Sequence, residues 1–436
     1  MASVPYSNLL GGNARNVPYS DLLRGIFGLA VFIGFAWAIS ENHRAISYKA
    51  IAGGLAAQII FALVLTRVPA VVTALGELAY GVDNLQRSAE SGAIFVFGYL
   101  GGGEQPFIRT NPEASTFIFA LQVIPAVLLV SALAALLWHW GVLRWIVRGA
   151  AWLFGRLFGV SGPVGVSTSA CIFLGMIEAP LLVRPMLPKL SRGEFFIIMV
   201  DGLAVIAGST MILLGAMLAD KVPGAFTQLL TASLISTPMA ITLARVIIPS
   251  EIVRNYERIP LESTYKSSLD AMTHGTINAV RIAAYVIALL IVFIGSINLL
   301  NVILGLIPTA GEPVTLTSIF GTLLAPVAWL MGVPMEDLRT VGALLGTKVT
   351  LNEVVAYAQL VDLPDGTLTE RGTLIATYAL CSFGNFGSVA ILIGTLTAMA
   401  PEKKDEIVEL GLKALLAAFL TTCMTGTIIG LISIIF

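Results

Sequence analysis

Two short segments place side chains capable of binding chemistry inside otherwise apolar runs. The first reads Gly175-Met176-Ile177-Glu178-Ala179-Pro180 and the second Gly346-Thr347-Lys348-Val349-Thr350-Leu351-Asn352-Glu353. A carboxylate is costly in hydrocarbon, so acids placed this way belong to a buried polar site that handles a solute or an ion. Each segment is followed by an apolar stretch broken by small polar residues, Ala207-Gly208-Ser209-Thr210 in the first half and Ser382-Phe383-Gly384-Asn385-Phe386-Gly387-Ser388 in the second. Glycine accepts unusual backbone angles and serine can bond released backbone groups, so such stretches suit helices interrupted near a binding site. The plainer reading of the same small residues is close helix packing.

The rest of the chain supplies the surroundings such a site needs. Of its 436 residues 57% are hydrophobic and only 12% are charged, with a mean hydropathy of +0.89. Soluble domains carry about twice that charge fraction, so the composition belongs to a polytopic membrane protein. A net charge of -1 provides no basic surface for nucleic acid. Cys171, Cys381 and Cys423 lie in apolar stretches without the short paired spacing of a zinc site and read as small buried hydrophobes. Residues 1–21 are polar and lack the pattern of a cleaved signal peptide, so the first span is expected to be retained.

Eight segments are long and apolar enough to be expected as spans: Leu22 to Ile39, Tyr48 to Val68, Thr116 to Trp140, Phe195 to Leu218, Phe226 to Ile248, Ala279 to Leu306, Leu374 to Met399 and Ile407 to Phe436. Shorter or interrupted apolar pieces, Pro69 to Tyr80, Val142 to Phe158, Pro163 to Leu187, Thr317 to Met331 and Leu338 to Leu360, read as interfacial helices or re-entrant hairpins. Both acidic segments fall in this set. Lys and Arg collect after spans one, five and seven and between spans three and four. The acids Glu77, Asp83, Glu90, Glu104, Glu113, Asp362, Asp365 and Glu370 lie in the alternate connections. The positive-inside rule then puts both termini outside, with Arg24 pulling the other way. Each half repeats an acidic hairpin, a broken span and an intact span, in opposite orientation. Inverted repeats with broken helices place a substrate site near mid-membrane.

The run Gly346-x-Lys348-x-x-x-Asn352-Glu353-Val354-Val355-Ala356-Tyr357 resembles the signature of the concentrative nucleoside transporters. Phe95-Val96-Phe97-Gly98, Glu178-Ala179-Pro180-Leu181, Arg184-Pro185 and Cys381 through Ser388 are similar to further pieces of the same family. The resemblance covers roughly residues 20 to 436. It implies an all-α membrane protein of eight spans with two opposed re-entrant hairpins, assembled as a homotrimer and working as an elevator on the bacterial inner membrane. The parts would be an extension at 1–21, scaffold spans and an interfacial helix at 22–160, the first hairpin, broken helix and following span at 161–250, an interfacial helix and scaffold span at 251–333, and the second hairpin, broken helix and last span at 334–436.

Carried over by position, Glu178, Asn352, Glu353, Phe383, Asn385 and Ser388 would contact a nucleoside; the coupling ion would be Na+ or H+, and backbone oxygens near Leu174 and Thr210, with the Ser209 hydroxyl, could form a depleted site for Na+. No organic cofactor is implied. A carboxylate with an amide suits a ribose, since Glu accepts from hydroxyls while Asn donates and accepts. Phe383 could pack on a base. Structural alternatives stand beside these: Glu353 paired with Lys348, Asn385 as a helix cap, and Phe383 as core.

Two departures matter. Many relatives carry Gln and then Thr or Ser immediately before the first hairpin acid, where this chain has Met176 and Ile177, so base choice does not carry over. Cys171 stands where sodium-coupled relatives have Asn, and a thiol is a poor ligand for a hard cation, which leaves proton coupling through a carboxylate as a competitor. Asp201 is a further protonatable group, expected to pair with Arg192. Beyond nucleoside transport, the sequence permits a transporter of another small polar solute. It also permits an intramembrane enzyme using the two carboxylates, though it carries neither a His-Glu-x-x-His motif nor a Gly-x-Ser-x-Gly elbow.

Overall fold

The computed structural model describes residues 19–108, 116, 118–249, 259, 261, 263, 265–307 and 313–435, with the side chains of Asp83 and Leu289 excepted. Glu113, Arg254 and Arg258, which entered the orientation argument, lie outside the described residues, as does most of the amino-terminal extension. Among the described residues the protein is all helical.

In chain order the helices are α1 (Tyr19–Ala38), α2 (Tyr48–Arg67), α3 (Pro69–Phe97), α4 (Phe119–His139), α5 (Val142–Phe158), α6 (Gly162–Leu174), the single turn α7 (Glu178–Leu181), α8 (Arg192–Ala204), α9 (Gly208–Leu218), α10 (Ala225–Ile247), α11 (Ser268–Leu304), α12 (Leu316–Leu330), α13 (Leu338–Thr350), α14 (Glu353–Asp362), α15 (Glu370–Leu380), α16 (Phe386–Met399) and α17 (Lys404–Ile435). Among the described residues, seven stretches are long and apolar enough to cross a membrane: α1, α2, α4, α8 with α9, α10, α11, and α17 with the turn before it. The expected span Leu374 to Met399 is present as two shorter helices, α15 and α16, separated at Cys381–Asn385.

The expected short piece Pro69 to Tyr80 is instead the start of a 29-residue helix. Charged residues at Glu77, Asp83, Arg87 and Glu90 interrupt its hydropathy but not its helix propensity, which Ala, Leu, Gln, Glu and Arg sustain. It stops at Gly98, whose φ of 61° only glycine adopts readily.

Packing divides the helices. The buried core is carried by α8, α10, α15 and α17, with α2 against α10 and α1 against α17. In a separate crossing α4 meets α11 so closely that a methyl on Gly275 would lie 2.6 Å from the Ser131 carbonyl oxygen. Most of α11 presents large apolar side chains outward, Tyr285, Ile291, Val292, Leu299 and Val302 among them.

The two broken spans are anchored at opposite ends of α1. Arg192, which begins α8, donates to Glu41, three residues beyond the end of α1, and to Glu409 of α17. Arg371, in the first turn of α15, donates to Asp21 in the first turn of α1 at 2.9 Å. The first half-helices therefore enter from opposite ends of the bundle. Asp21 also accepts from Arg24, whose guanidinium lies over the Trp329 ring. Arg24 is thus buried and paired rather than free in a loop.

Candidate functional site

Helix α6 ends at Gly175, whose φ of 99° turns the chain sharply and lets Met176 and Ile177 form the tip before Glu178 starts α7. At the second tip α13 ends at Leu351, and Asn352 begins α14 by accepting from the Val355 N–H at 2.8 Å. Each tip abuts a broken span. A methyl on Gly175 would lie 2.9 Å from the Cβ of Ala207, at the break between α8 and α9, and one on Gly208 would lie 3.2 Å from the Phe173 carbonyl oxygen. The two breaks in turn approach one another, since a methyl on Gly384 would sit 3.7 Å from the Leu203 carbonyl oxygen. Thus both tips and both breaks form one continuous region.

The second tip is closely bonded. Glu353 is buried and accepts from the Asn385 amide at 3.0 Å, while the Asn385 side-chain oxygen accepts from the Ser388 N–H at 2.7 Å. Asn385 thereby caps α16 and holds the carboxylate at once, so the capping and binding readings are both met by one side chain. Asn352, Glu353, Asn385 and Ser388 are brought together. Phe383 lies half-buried on the irregular segment between α15 and α16.

Lys348 is not the partner of Glu353. Its buried ammonium donates to the Ala379 carbonyl at 2.8 Å and to the Thr422 hydroxyl at 2.9 Å. Ala379 lies in the last turn of α15, where orphan carbonyls leave partial negative charge, so the cation stabilises that helix end and makes no direct ion pair with the acid. Tyr357 adds a second tie to the same region, donating to the Thr377 carbonyl at 2.6 Å.

The first tip is finished differently. Glu178 is partly exposed and accepts at 3.0 Å from Asn278 on α11, not from the residues gathered around Glu353. Met176 is 7% exposed and Ile177 is 40% exposed, so the tip offers apolar surface where the family resemblance leads one to expect polar groups. Leu174 closes α6 beside the first turn of α9, which carries Ser209 and Thr210. Neither of those hydroxyls makes a side-chain hydrogen bond among the described residues, and the Ile172 and Phe173 carbonyls face the same turn. These oxygens are the kind a hard monovalent cation accepts.

Asn278 escaped the sequence reading, although a lone amide in an apolar span is itself a signal. The expected pairing of Asp201 with Arg192 is overturned, because Arg192 is taken by Glu41 and Glu409 while Asp201 is 1% exposed deep in the bundle. The three cysteines are free and buried, as their apolar settings suggested.

Sequence profiles described as Na+ dependent nucleoside transporter match residues 228–430 (C-terminus) and 27–100 (N-terminus), and a profile described as nucleoside recognition matches residues 120–221. The chain is 32% identical to the nucleoside permease NupC of Helicobacter pylori over 94% of its own length and 97% of that protein. The structure superposes on CNTnw in an inward-facing substrate-bound state with a TM-score of 0.84 and 31% identity, covering 94% of this chain and 99% of that one. An outward-facing variant of CNTnw gives a TM-score of 0.86 with 96% and 100% coverage.

Proposed function

The chain belongs to the concentrative nucleoside transporter family, and from that premise we propose that it is a secondary active importer of nucleosides in the bacterial inner membrane, driven by a Na+ or H+ gradient. The observation that carries this reading is the Glu353–Asn385 pair, a buried carboxylate and amide held at the meeting point of a helical tip and a broken span. In this structure the two satisfy each other. A ribose can replace that contact, its hydroxyls donating to Glu353 and accepting from the Asn385 amide, at little net cost in hydrogen bonds. Ser388 lies at the same helix start, and the half-buried Phe383 ring offers a face for the base.

Glu178 takes the opposite wall. Its release from Asn278 would let it reach a second ribose hydroxyl, linking occupancy of the site to the contact between the first tip and α11. Leu174, Ser209 and Thr210, with nearby carbonyls, would hold Na+ if sodium is the driving ion. The two anchors at opposite ends of α1 support an inverted repeat, hence eight crossings, two re-entrant hairpins and both termini on the periplasmic side. Alternating access by an elevator movement, with α4 and α11 as scaffold in a homotrimer, fits the separate α4–α11 crossing and the apolar outer face of α11. The residues gathered at the tips bind and orient; no covalent chemistry is assigned to them.

The test is uptake of radiolabelled uridine and adenosine into proteoliposomes. Glu353→Gln keeps the shape but weakens acceptance from ribose hydroxyls, and uptake of both is expected to collapse. Full uptake of every nucleoside by this variant would overturn the site. The apolar Met176–Ile177 tip favours one second reading, transport of a different small polar solute. Thermal stabilisation of the purified protein by another solute, with no response to any nucleoside, would establish it.

A further inference from the structure

One acid within the bundle takes no part in the site described above. Asp201 lies in the last turn of α8, is 1% exposed, and neither of its carboxylate oxygens has a hydrogen-bond partner. Helices α6, α10, α16 and α17 pack against α8. Their ionisable groups offer no counter-ion. On α6 the one ionisable group is the buried thiol of Cys171. On α10 Arg245 donates to the carbonyls of Phe158 and Gly159, and Thr237, the adjacent hydroxyl, donates to the Ser233 carbonyl at 3.3 Å.

Helix α16 has no charged residue. On α17, Glu409 and Lys413 belong to the Arg192–Glu41 network, Lys404, Asp405 and Glu406 precede them in its first turn, and Cys423 adjoins Lys348. Arg192 and Glu194 stand in the first turn of α8, and Arg192 is about 13 Å away from Asp201 along the helix.

An ionised carboxylate in this setting would have no counter-ion and no donor nearer than the Thr237 hydroxyl, which the Ser233 carbonyl already engages, and in a low-dielectric interior it takes up a proton instead. It would also face the orphan carbonyls of the last turn of α8, the negative end of that half-helix. The next residue packs under the first tip, where a methyl on Gly202 would lie 3.3 Å from the Cβ of Met176 and 3.9 Å from Leu392 of α16, about 100° around the helix from the Asp201 side chain.

We propose that Asp201 is the proton-carrying residue of the transport cycle, loaded from one side of the membrane, shielded inside the helix bundle during the crossing, and unloaded on the other side. One proton binds a carboxylate oxygen and the same proton leaves to water in each cycle. The inference rests on the transport reading and narrows its coupling ion to H+. The neighbouring Cys171 agrees with it, since a thiol is a poor sodium ligand.

The experiment compares wild type with Asp201→Asn, which keeps shape and removes the proton. In proteoliposomes the wild type is expected to accumulate uridine under an imposed inward proton gradient, and Asp201→Asn to lose that accumulation while retaining uridine exchange between equal pools. Proton-driven accumulation retained at the wild-type level by Asp201→Asn, or wild-type accumulation that responds to sodium and not to protons, would overturn the proposal. A second readout needs no nucleoside: infrared difference spectra of the purified protein at neutral pH should contain the carbonyl band of a protonated, weakly hydrogen-bonded carboxylic acid that is missing from Asp201→Asn. Absence of that band from wild type overturns the proposal even if the variant fails to fold. Wild-type protein that neither exchanges nor binds any nucleoside, yet shows the band, removes the nucleoside reading and leaves the proton site standing.

Discussion

At the second tip the carboxylate, the amide and the helix starts bond one another, whereas at the first tip the carboxylate reaches out to a different helix and the tip itself is apolar. Glu353 and Asn385 sit in a buried unit closed by the Ser388 N–H, with Lys348 and Tyr357 fastening the adjoining half-helix α15. Glu178 has Asn278 across the gap, and Ser209, Thr210 and Asp201 are left without bonded side-chain partners among the described residues. The anchors share the asymmetry: Asp21–Arg371 is buried, while Glu41–Arg192 is open to water. A polar unit satisfied within itself is pre-organised. One whose groups are unspent can exchange partners as the protein moves, so the second half reads as the fixed recognition side and the first as the side that couples recognition to motion.

The most disruptive way to break this contrast is at the buried anchor. Asp21→Asn leaves Arg24 and Arg371 without their carboxylate, and breaking such a buried pair costs about 3 kcal/mol or more. A clear drop in melting temperature is expected, larger than for any substitution at Glu41. Equal effects at the two anchors would remove the asymmetry.

Next comes Asn385→Ala, which takes away both a helix cap, worth about 1 kcal/mol, and the side-chain donor to a buried carboxylate, worth about 1–3 kcal/mol. Uptake at low nucleoside concentration should fall by more than about tenfold, as a loss above 1.4 kcal/mol implies. Glu178→Gln is expected to fall short of that, because an amide can still bond Asn278. A greater loss at Glu178 than at Asn385 would reverse the assignment of roles.

Gly175→Ala probes the first tip through its backbone. The residue holds φ at 99° and its added methyl would meet Ala207 at 2.9 Å, so strain of about 1–3 kcal/mol falls on the contact between the tip and the break. Slower turnover is expected, with nucleoside-induced stabilisation of the purified protein largely kept. Loss of binding with intact turnover would show that the first tip recognises rather than couples.

The sequence exposed the second tip far better than the first. Asn352, Glu353, Asn385 and Ser388 were visible because their hydrogen bonds run to near neighbours or between two motifs of one signature. Glu178 was equally visible, but its partner Asn278 lies 100 residues away on another helix, and no local pattern joins them. Local charge also misled. Nearness in sequence suggests Arg192 as the partner of Asp201, yet the fold turns one outward to Glu41 and the other inward. Helix α3 was cut short because hydropathy ends where charge begins, while backbone propensity does not. The broken spans were legible because glycine and serine clusters mark where a helix cannot continue.

The smallest effect is expected at the water-exposed anchor, and it carries a pH signature. Glu41 lies in the connection after α1, and its hydrogen bond from Arg192, aided by Lys413 and opposed by partial burial, lowers its carboxyl from 4.5 to about 2. A group whose folded value is depressed stabilises the fold above its unfolded value and loses that contribution as pH falls toward the folded one. Glu41→Gln should therefore lower the melting temperature slightly at neutral pH, in keeping with the small worth of exposed ion pairs, about 0–1 kcal/mol. The gap to wild type should narrow as pH drops below about 4.5. Thermal unfolding in detergent at a series of pH values measures this, and high salt should shrink the same gap at neutral pH. A gap that persists unchanged under both treatments would mean that Glu41 is held by packing rather than charge, and the two anchors would then differ in degree only.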